Sequence, residues 1–512
     1  MLTHDDTAAE RATTDGERRW WQVDPWGPVL SLVGLVIFLL HGFGGLLTRD
    51  LALYAYAGQQ FAEGVPPYEG VMNRAGPLAH IVPGFGALIA RGLGTDDLIT
   101  QRALMMGLSV VAVWLTYLLG RDTFRSRLAG AASVATLLAF QGFVTYSGGG
   151  PREKTTMMLL VVCAMLAVLH RRWFWAGFAI ALATLTWQPA FWATIAMAVA
   201  GVLVGAEGGR RLTGVVRVAL GGIAATALMT LYFVSVGALD AFFDGFLLLN
   251  ATSTRQIGLV QMLIEEPYEI SSGFGWSIWL VVAGLVASVA LGVRAWRHGD
   301  RRDRHDAAVI AFGIGTAGYV LWSIGVFNGW ADAVVMLPFA AIGMGGLGAL
   351  VLRRVQPRGA AVVAAYTVVV LVVAAVDTWV TRPDELAPMR AETDAMLALA
   401  GPEVSVASVG APQPLVLGQL RNPIQHQMFI AGLQDYLDEN YPGGLAGVAA
   451  AIDDARPTYI TMDHPDWYYW MDPTIDAHYE EVGTTLDFTW YADRSLGEEK
   501  LAEMREILES GP

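Results

Sequence analysis

Apolar residues along this chain come in long runs, not in the short alternations of a soluble fold. A helix needs about 20 apolar residues to cross a bilayer. Runs of roughly that kind lie near 27–47, 97–119, 128–146, 155–169, 173–187, 189–206, 214–237, 274–293, 307–326, 332–352 and 359–378. The breaks that carry arginine are the N-terminal tail (Arg18, Arg19), 121–127, 170–172, 207–217, 294–304 and 353–358. Short arginine-rich loops stay cytoplasmic, and eleven crossings put every one of these breaks inside. A further apolar stretch, 77–94 (PLAHIVPGFGALIARGLG), must then not cross. It is short, is broken by Pro83 and several glycines, carries His80 and Arg91, and reads as an interfacial or half-inserted helix. Counting it as a span inverts every later loop. With eleven crossings, 48–96, 147–154, 238–273 and 379–512 all face outside.

Composition supports this reading. Of 512 residues, 54% are hydrophobic and 16% are charged, and the mean hydropathy is +0.44; soluble domains carry about 25% charged residues. The prediction is an α-helical polytopic protein of the cell membrane: a cytoplasmic tail at 1–26, a transmembrane domain at 27–378, and an outer domain at 379–512. The polar N-terminus and the lack of a small-residue cleavage pattern after the first run speak against a cleavable signal peptide. The lone Cys163 cannot form an internal disulfide. The net charge of −14 is uneven: residues 379–512 carry −16 and the rest +2. No basic face is left to release phosphate counterions, so nucleic-acid binding is not expected. The acidic tail alternates strand-like and helix-like pieces, VSVASVG (404–410), LAGVAAAIDDA (445–455) and PTYITMD (457–463), and this order predicts a small α/β domain. The aromatic segment HPDWYYWMDP (464–473) reads as a packed loop or as a stacking surface for a sugar ring.

The outer side collects the chemistry. Directly after the first run comes RDLALYAYAGQQFAEGVPPYEGVMNRAGPL (49–78), in which Leu51, Tyr54, Ala55, Gly58, Phe61 and Ala62 recur at helical spacing and Gly64 ends the helix. This predicts a helix lying along the membrane interface. Asp50 at its start is either a helix cap or a general base for an acceptor hydroxyl. Arg74 either snorkels to lipid headgroups or grips a phosphate. Arg152, Glu153 and Lys154 follow three glycines at another outer helix start, where they are an ordinary first-turn cluster or part of a site. His80, on an apolar face, reads as structural. In the outer loop 238–273, an apolar flank precedes Arg255, Glu265 and Glu266; this is a surface helix or a lid whose Arg255 reaches phosphate.

These features resemble the GT-C fold, the polyprenyl-phosphate-dependent membrane glycosyltransferases, and within it the protein O-mannosyltransferase and aminoarabinose transferase branches. The likeness rests on Asp50 after the first span, ALYAYAGQQFAEGVPPY as first juxtamembrane helix and turn, NRAGPL before the second, Glu153 as second outer acid, and an outer domain after the last span. It implies transfer, with inversion, of a sugar from a polyprenyl-phosphate donor to an envelope glycan, lipid or protein. By the resemblance, Asp50 is the base and Glu153 supports the donor phosphate or, with Asp50, a divalent cation such as Mg or Mn. Asn73, Arg74, Arg152, Lys154 and Arg255 meet the phosphate, and Tyr54, Tyr68 and Gln188 line the substrate. The chain departs from the pattern in two places: no acidic pair follows the first span, and Ala75 and Gly76 separate the cation from Pro-Leu. Two other classes stay open, a multi-span transporter and a non-enzymatic envelope-assembly protein. The first should show inverted repeats and mid-span charge, neither of which is evident; the second leaves Asp50, Arg74 and Glu153 without a purpose.

Overall fold

The computed structural model describes residues 24–206, 210–252, 271–326, 329–430 and 432–510, together with Val260 and Tyr268. The transmembrane part is helical: α1 (Trp26–His41), α2 (Arg49–Ala62), α3 (Leu78–Leu93), α4 (Asp97–Phe124), α5 (Arg127–Ala139), α6 (Gln141–Gly148), α7 (Glu153–Leu169), α8 (Trp173–Thr184), α9 (Ala190–Gly205), α10 (Arg210–Ser235), α11 (Ile278–His298), α12 (Arg304–Val326), α13 (Leu337–Arg354) and α14 (Gly359–Val380). Each expected run holds a helix, but the count of full-length spans is lower than eleven. Among the described residues six helices are long and apolar enough to cross, or seven if α5 and α6, bent by 70° at Phe140, count as one. The helices at the other expected spans have 12 to 17 residues. At 1.5 Å per residue they fall short of a hydrocarbon core of about 30 Å. Hydropathy runs continue through the non-helical joints, so the apolar length overstates the helical length.

Such joints are tolerable at membrane depth only where protein satisfies the backbone. Between α8 and α9 the carbonyls of Leu185 and Thr186 accept from the N–H groups of Leu78 (3.1 Å) and Gly76 (3.0 Å). A Cβ on Gly76 would collide with the Leu185 carbonyl, so the turn at 73–78 fits this break only with glycine there. Where α8 crosses α10, Gly177 and Gly221 each face the partner helix's backbone with no room for a side chain, the small-residue contact common between membrane helices.

The contacts sort the bundle into two ends. At one, Asp24 pairs with Arg121 (3.2 Å) and Arg127 (3.3 Å), Arg125 with Asp303 (2.9 Å), and Arg171 donates to the Arg302 carbonyl (2.7 Å). All the described arginine-rich breaks from 121 to 304 that make these contacts therefore meet at that end. The other holds α2, the start of α7 and the chain after α14. Helix α3 begins beside Leu185 at this second end and finishes just before Asp96, which pairs there with Arg390 (2.8 Å). Both ends of α3 lie on one side of the bundle.

After α14 come α15 (Leu386–Ala400), β1 (Val406–Val409), α16 (Gly444–Ala455), β2 (Tyr459–Met462), β3 (Tyr479–Thr485), β4 (Phe488–Asp493) and α17 (Glu498–Ser510). The sheet order is β1-β2-β4-β3, with β1 and β2 parallel through the α16 crossover and the other pairs antiparallel. The aromatic segment 464–473 forms two short turns that bury Tyr468 and Trp470 and expose Trp467 and Tyr469.

Helix α2 differs from the surface-lying helix that its periodicity predicts. Leu51 through Gln60 are all buried, because the C-terminal part covers its polar face. Gln59 donates to the Val416 carbonyl (3.1 Å), Tyr56 accepts from the Asn422 N–H (2.9 Å), and Glu63 pairs with Arg421 (2.8 Å).

Candidate functional site

Helix α2 starts at Arg49, which puts Asp50 in its first turn, where a carboxylate suits the helix dipole. Its side chain does not cap the helix. Instead, Asp50 accepts from Arg152 (2.7 Å) and Arg49 (3.3 Å) and keeps 31% of its side chain open. The Glu153 carboxylate lies against Arg152 on one oxygen (3.1 Å) and Lys154 on the other (3.2 Å), and Lys154 reaches Asp332 (3.3 Å). On the far side, Arg49 pairs with Asp463 (2.5 Å), which also accepts from the Tyr468 hydroxyl (2.5 Å). A single alternating series of charges results: Asp463, Arg49, Asp50, Arg152, Glu153, Lys154, Asp332. It runs from the C-terminal sheet to the start of α13. Aromatic faces support the cations: Tyr54 and Tyr146 lie under Arg152 (5.4 and 5.5 Å) and Trp187 under Lys154 (3.0 Å).

Desolvation pushes the Asp50 pKa up, but the charges of Arg152 and Arg49 and their hydrogen bonds outweigh it and hold the carboxyl at about 2. Asp50 is thus ionised at any ordinary pH, and weakly basic while both arginines stay on it. Burial and then the Glu153 charge raise the Tyr54 phenol well above its ordinary value, so Tyr54 remains a neutral donor.

The turn carrying Arg74 is held by the residues around it. Asn73 is buried; its amide nitrogen donates to His80 Nε2 (2.9 Å) and its oxygen accepts from Ala75 N–H (2.8 Å). Tyr68, also buried, donates to the Ala75 carbonyl (2.7 Å), and Gln188 and Asn250 donate to the Arg74 carbonyl (2.9 and 3.0 Å). Asn73, Tyr68 and Gln188, expected at the ligand, are the scaffold of this turn. Burial lowers the Arg74 pKa, only partly offset by the Asp332 carboxylate. Burial drives His80 down to about 3, so it is the neutral partner that Asn73 requires. Arg255, Glu265 and Glu266 lie outside the described residues.

The structure therefore brings Asp50, Tyr54, Arg152, Glu153 and Lys154 into one cluster with Arg74 at its edge. Four members were not singled out from sequence: Arg49, Asp332, Asp463 and Asn250. Arg49 had a signal, adjacency to Asp50; the others sit hundreds of residues away.

Beside the Arg74 turn opens an apolar groove of about 850 Å³ between α8, α9 and α10, reaching from Leu185, Leu231 and Phe246 toward Val202 and Val215. No protein-family model matches this chain, and no curated protein sequence does. Two solved structures of ArnT from Cupriavidus metallidurans align with nearly all of it. The apo state has a TM-score of 0.59 at 16% identity, covering 92% of this chain and 98% of that one; the state bound to undecaprenyl phosphate has 0.58 at 16%, covering 93% and 99%. The fold is that of ArnT. The juxtamembrane motifs that resembled the GT-C fold thus lie in a chain that has it, and the protein is an integral membrane protein.

Proposed function

We propose that this protein is a membrane glycosyltransferase that moves a sugar from a polyprenyl-phosphate-linked donor to an acceptor of the cell envelope, on the outer face of the membrane. The observation that carries the reading is the placement of an open carboxylate, Asp50, with Arg152 and Arg74 nearby, at the head of an apolar groove. A polyprenyl tail suits the groove, which keeps it in an apolar setting while its phosphate meets Arg74 and Arg152 by charge-assisted hydrogen bonds. The ArnT structure that holds undecaprenyl phosphate supports this class of lipid.

In the proposed reaction the bond between the anomeric carbon and the phosphate oxygen breaks, and its electron pair leaves on the phosphate. The acceptor oxygen forms the new bond from the opposite face and inverts the centre. For a hydroxyl acceptor, the proton passes to Asp50. Arg152 links the two events, because a phosphate that draws it away from Asp50 removes the charge that suppresses Asp50's basicity. Asp50 and Glu153 suit a divalent cation, Mg or Mn, poorly: Arg152 lies between them, and among the described residues no cluster of three His, Cys, Asp or Glu forms. The transfer is proposed without one.

The test is sugar transfer by the purified, reconstituted chain from a panel of radiolabelled polyprenyl-phosphate sugars to envelope fractions. Labelled product with an inverted anomeric centre is expected. Failure with every donor, by protein that still binds the polyprenyl phosphate, overturns the enzymatic reading and leaves a lipid-binding assembly protein.

A further inference from the structure

A second pocket, of about 420 Å³, lies at the arginine end of the bundle, on the same three helices as the apolar groove. Arg171, Arg210, Arg217 and Arg302 line it with Trp173 and Thr213. No carboxylate is among its described lining residues; residues 207–209, between α9 and α10, lie outside the described residues. Arg171 donates to the Arg302 carbonyl (2.7 Å), which fixes one guanidinium at the pocket wall. Arg210 and Arg217 are exposed and stand two turns apart on α10.

This pocket continues into the groove. Gly214 lines the pocket and packs against Val202, which lines the groove, and Val215 and Val218 of the groove alternate along α10 with Gly214 and Arg217 of the pocket. The feature as a whole is a cationic recess opening onto an apolar channel at one membrane face. That is the outline of an amphiphile with an anionic head. Basic pockets between transmembrane helices on this kind of face bind phosphorylated headgroups, and planar guanidinium forks match phosphate oxygens in pairs.

We propose that this recess is a binding site for the headgroup of an anionic glycerophospholipid of the cytoplasmic leaflet, with its acyl chains entering the lower part of the groove. Arg210 and Arg217 supply the headgroup contacts, Arg171 completes the ring, and Trp173 anchors the interface level. The site is separate from the Asp50 cluster and does not depend on the glycosyltransferase reading. Its consequence is structural: a lipid here wedges α8, α9 and α10 from the opposite end to the donor.

The test is native mass spectrometry of the delipidated full chain, titrated with phosphatidylglycerol, phosphatidylcholine or inorganic phosphate. Expected is one saturable phosphatidylglycerol adduct, with phosphatidylcholine and inorganic phosphate at least about tenfold weaker. The double variant Arg210→Gln/Arg217→Gln should weaken that adduct about tenfold or more, as loss of charge-assisted contacts requires. Both positions are exposed, so the variant should fold. Arg353→Gln/Arg354→Gln, which removes two cations of the same kind outside the recess, should leave the adduct unchanged. Equal weakening by both double variants overturns the proposal in favour of diffuse attraction to basic loops. Phosphate binding as tight as the lipid's overturns it in favour of a free-anion site, and unaltered binding in the first double variant shows that the recess holds no headgroup.

Discussion

Both ends of the helical bundle are rich in arginine, yet they use it in opposite ways. At the Asp50 end the cations are interleaved with carboxylates and largely buried: Arg152 is 11% exposed and Lys154 2%. Each has a carboxylate on two sides or an aromatic face beneath it. At the other end Arg125 and Arg127 pair while 63% and 56% exposed, and the recess between α8 and α10 has arginine without described acid partners. Taking charge out of water is expensive unless it is paired. The interleaved series is therefore a positioned device that fixes where each charge sits, and the exposed arginines are free to adapt to the membrane surface. Charge at the first end is organised; at the second it is only concentrated.

The contrast can be broken most severely at Asp50. If the carboxylate is a base, Asp50→Asn should cut transfer by about 10² to 10⁴-fold. Expression and fold should persist, because Asp50 makes no capping bond that the amide would lose. Parental activity in that variant, measured as sugar transferred from the lipid donor, rules out the base. Next in size is Arg74→Ala, which should weaken donor binding about tenfold or more. Unchanged affinity by titration with the polyprenyl phosphate would make Arg74 an ordinary interfacial arginine, like those at the other end.

Asp463→Asn removes a buried charge partner of Arg49 while Asp50 stays on its other side. A loss of about 1–3 kcal/mol is expected, seen as a lower Tm with unchanged expression. No change in Tm would mean that the series stops at Asp50 and that the C-terminal sheet only rests on the bundle. The pH dependence has a definite sign. With the Asp50 pKa depressed to about 2 from an ordinary value of about 3.9, its pairing contributes fully above pH 4 and is lost as the pH falls through 2. Parental and Asp50→Asn proteins should therefore differ in Tm by a constant amount from pH 5 to 8 and converge below pH 4. The smallest perturbation checks sidedness alone. In a Cys163→Ala background, cysteines at Glu69 and Asn440 should label from outside and those at Arg125 and Asp300 from inside. Labelling of Arg125 from outside would put the two ends on the wrong faces and remove the site from the donor's side.

Several of these features were legible before any fold was known. Asp50, Arg74 and the Arg152–Lys154 group stood out because charge beside long apolar runs is rare, and the strand-helix-strand order at 404–463 was readable from alternation. Helix ends were not. The runs at 155–169 and 173–187 read as equivalent spans, yet the second yields 12 helical residues, since hydropathy is indifferent to whether a backbone is helical or is satisfied by the turn at 73–78.

The sequence by itself determined that this is a polytopic membrane protein with its chemistry gathered on one side, because bilayer thickness and charge bias act on local composition. Only the tertiary structure decided who meets whom. Asp463 reaches Arg49 across 414 residues and Lys154 reaches Asp332 across 178, and no local pattern encodes such pairings. They exist because burying one charge demands another within hydrogen-bond reach, and the fold alone determines which residues come that close.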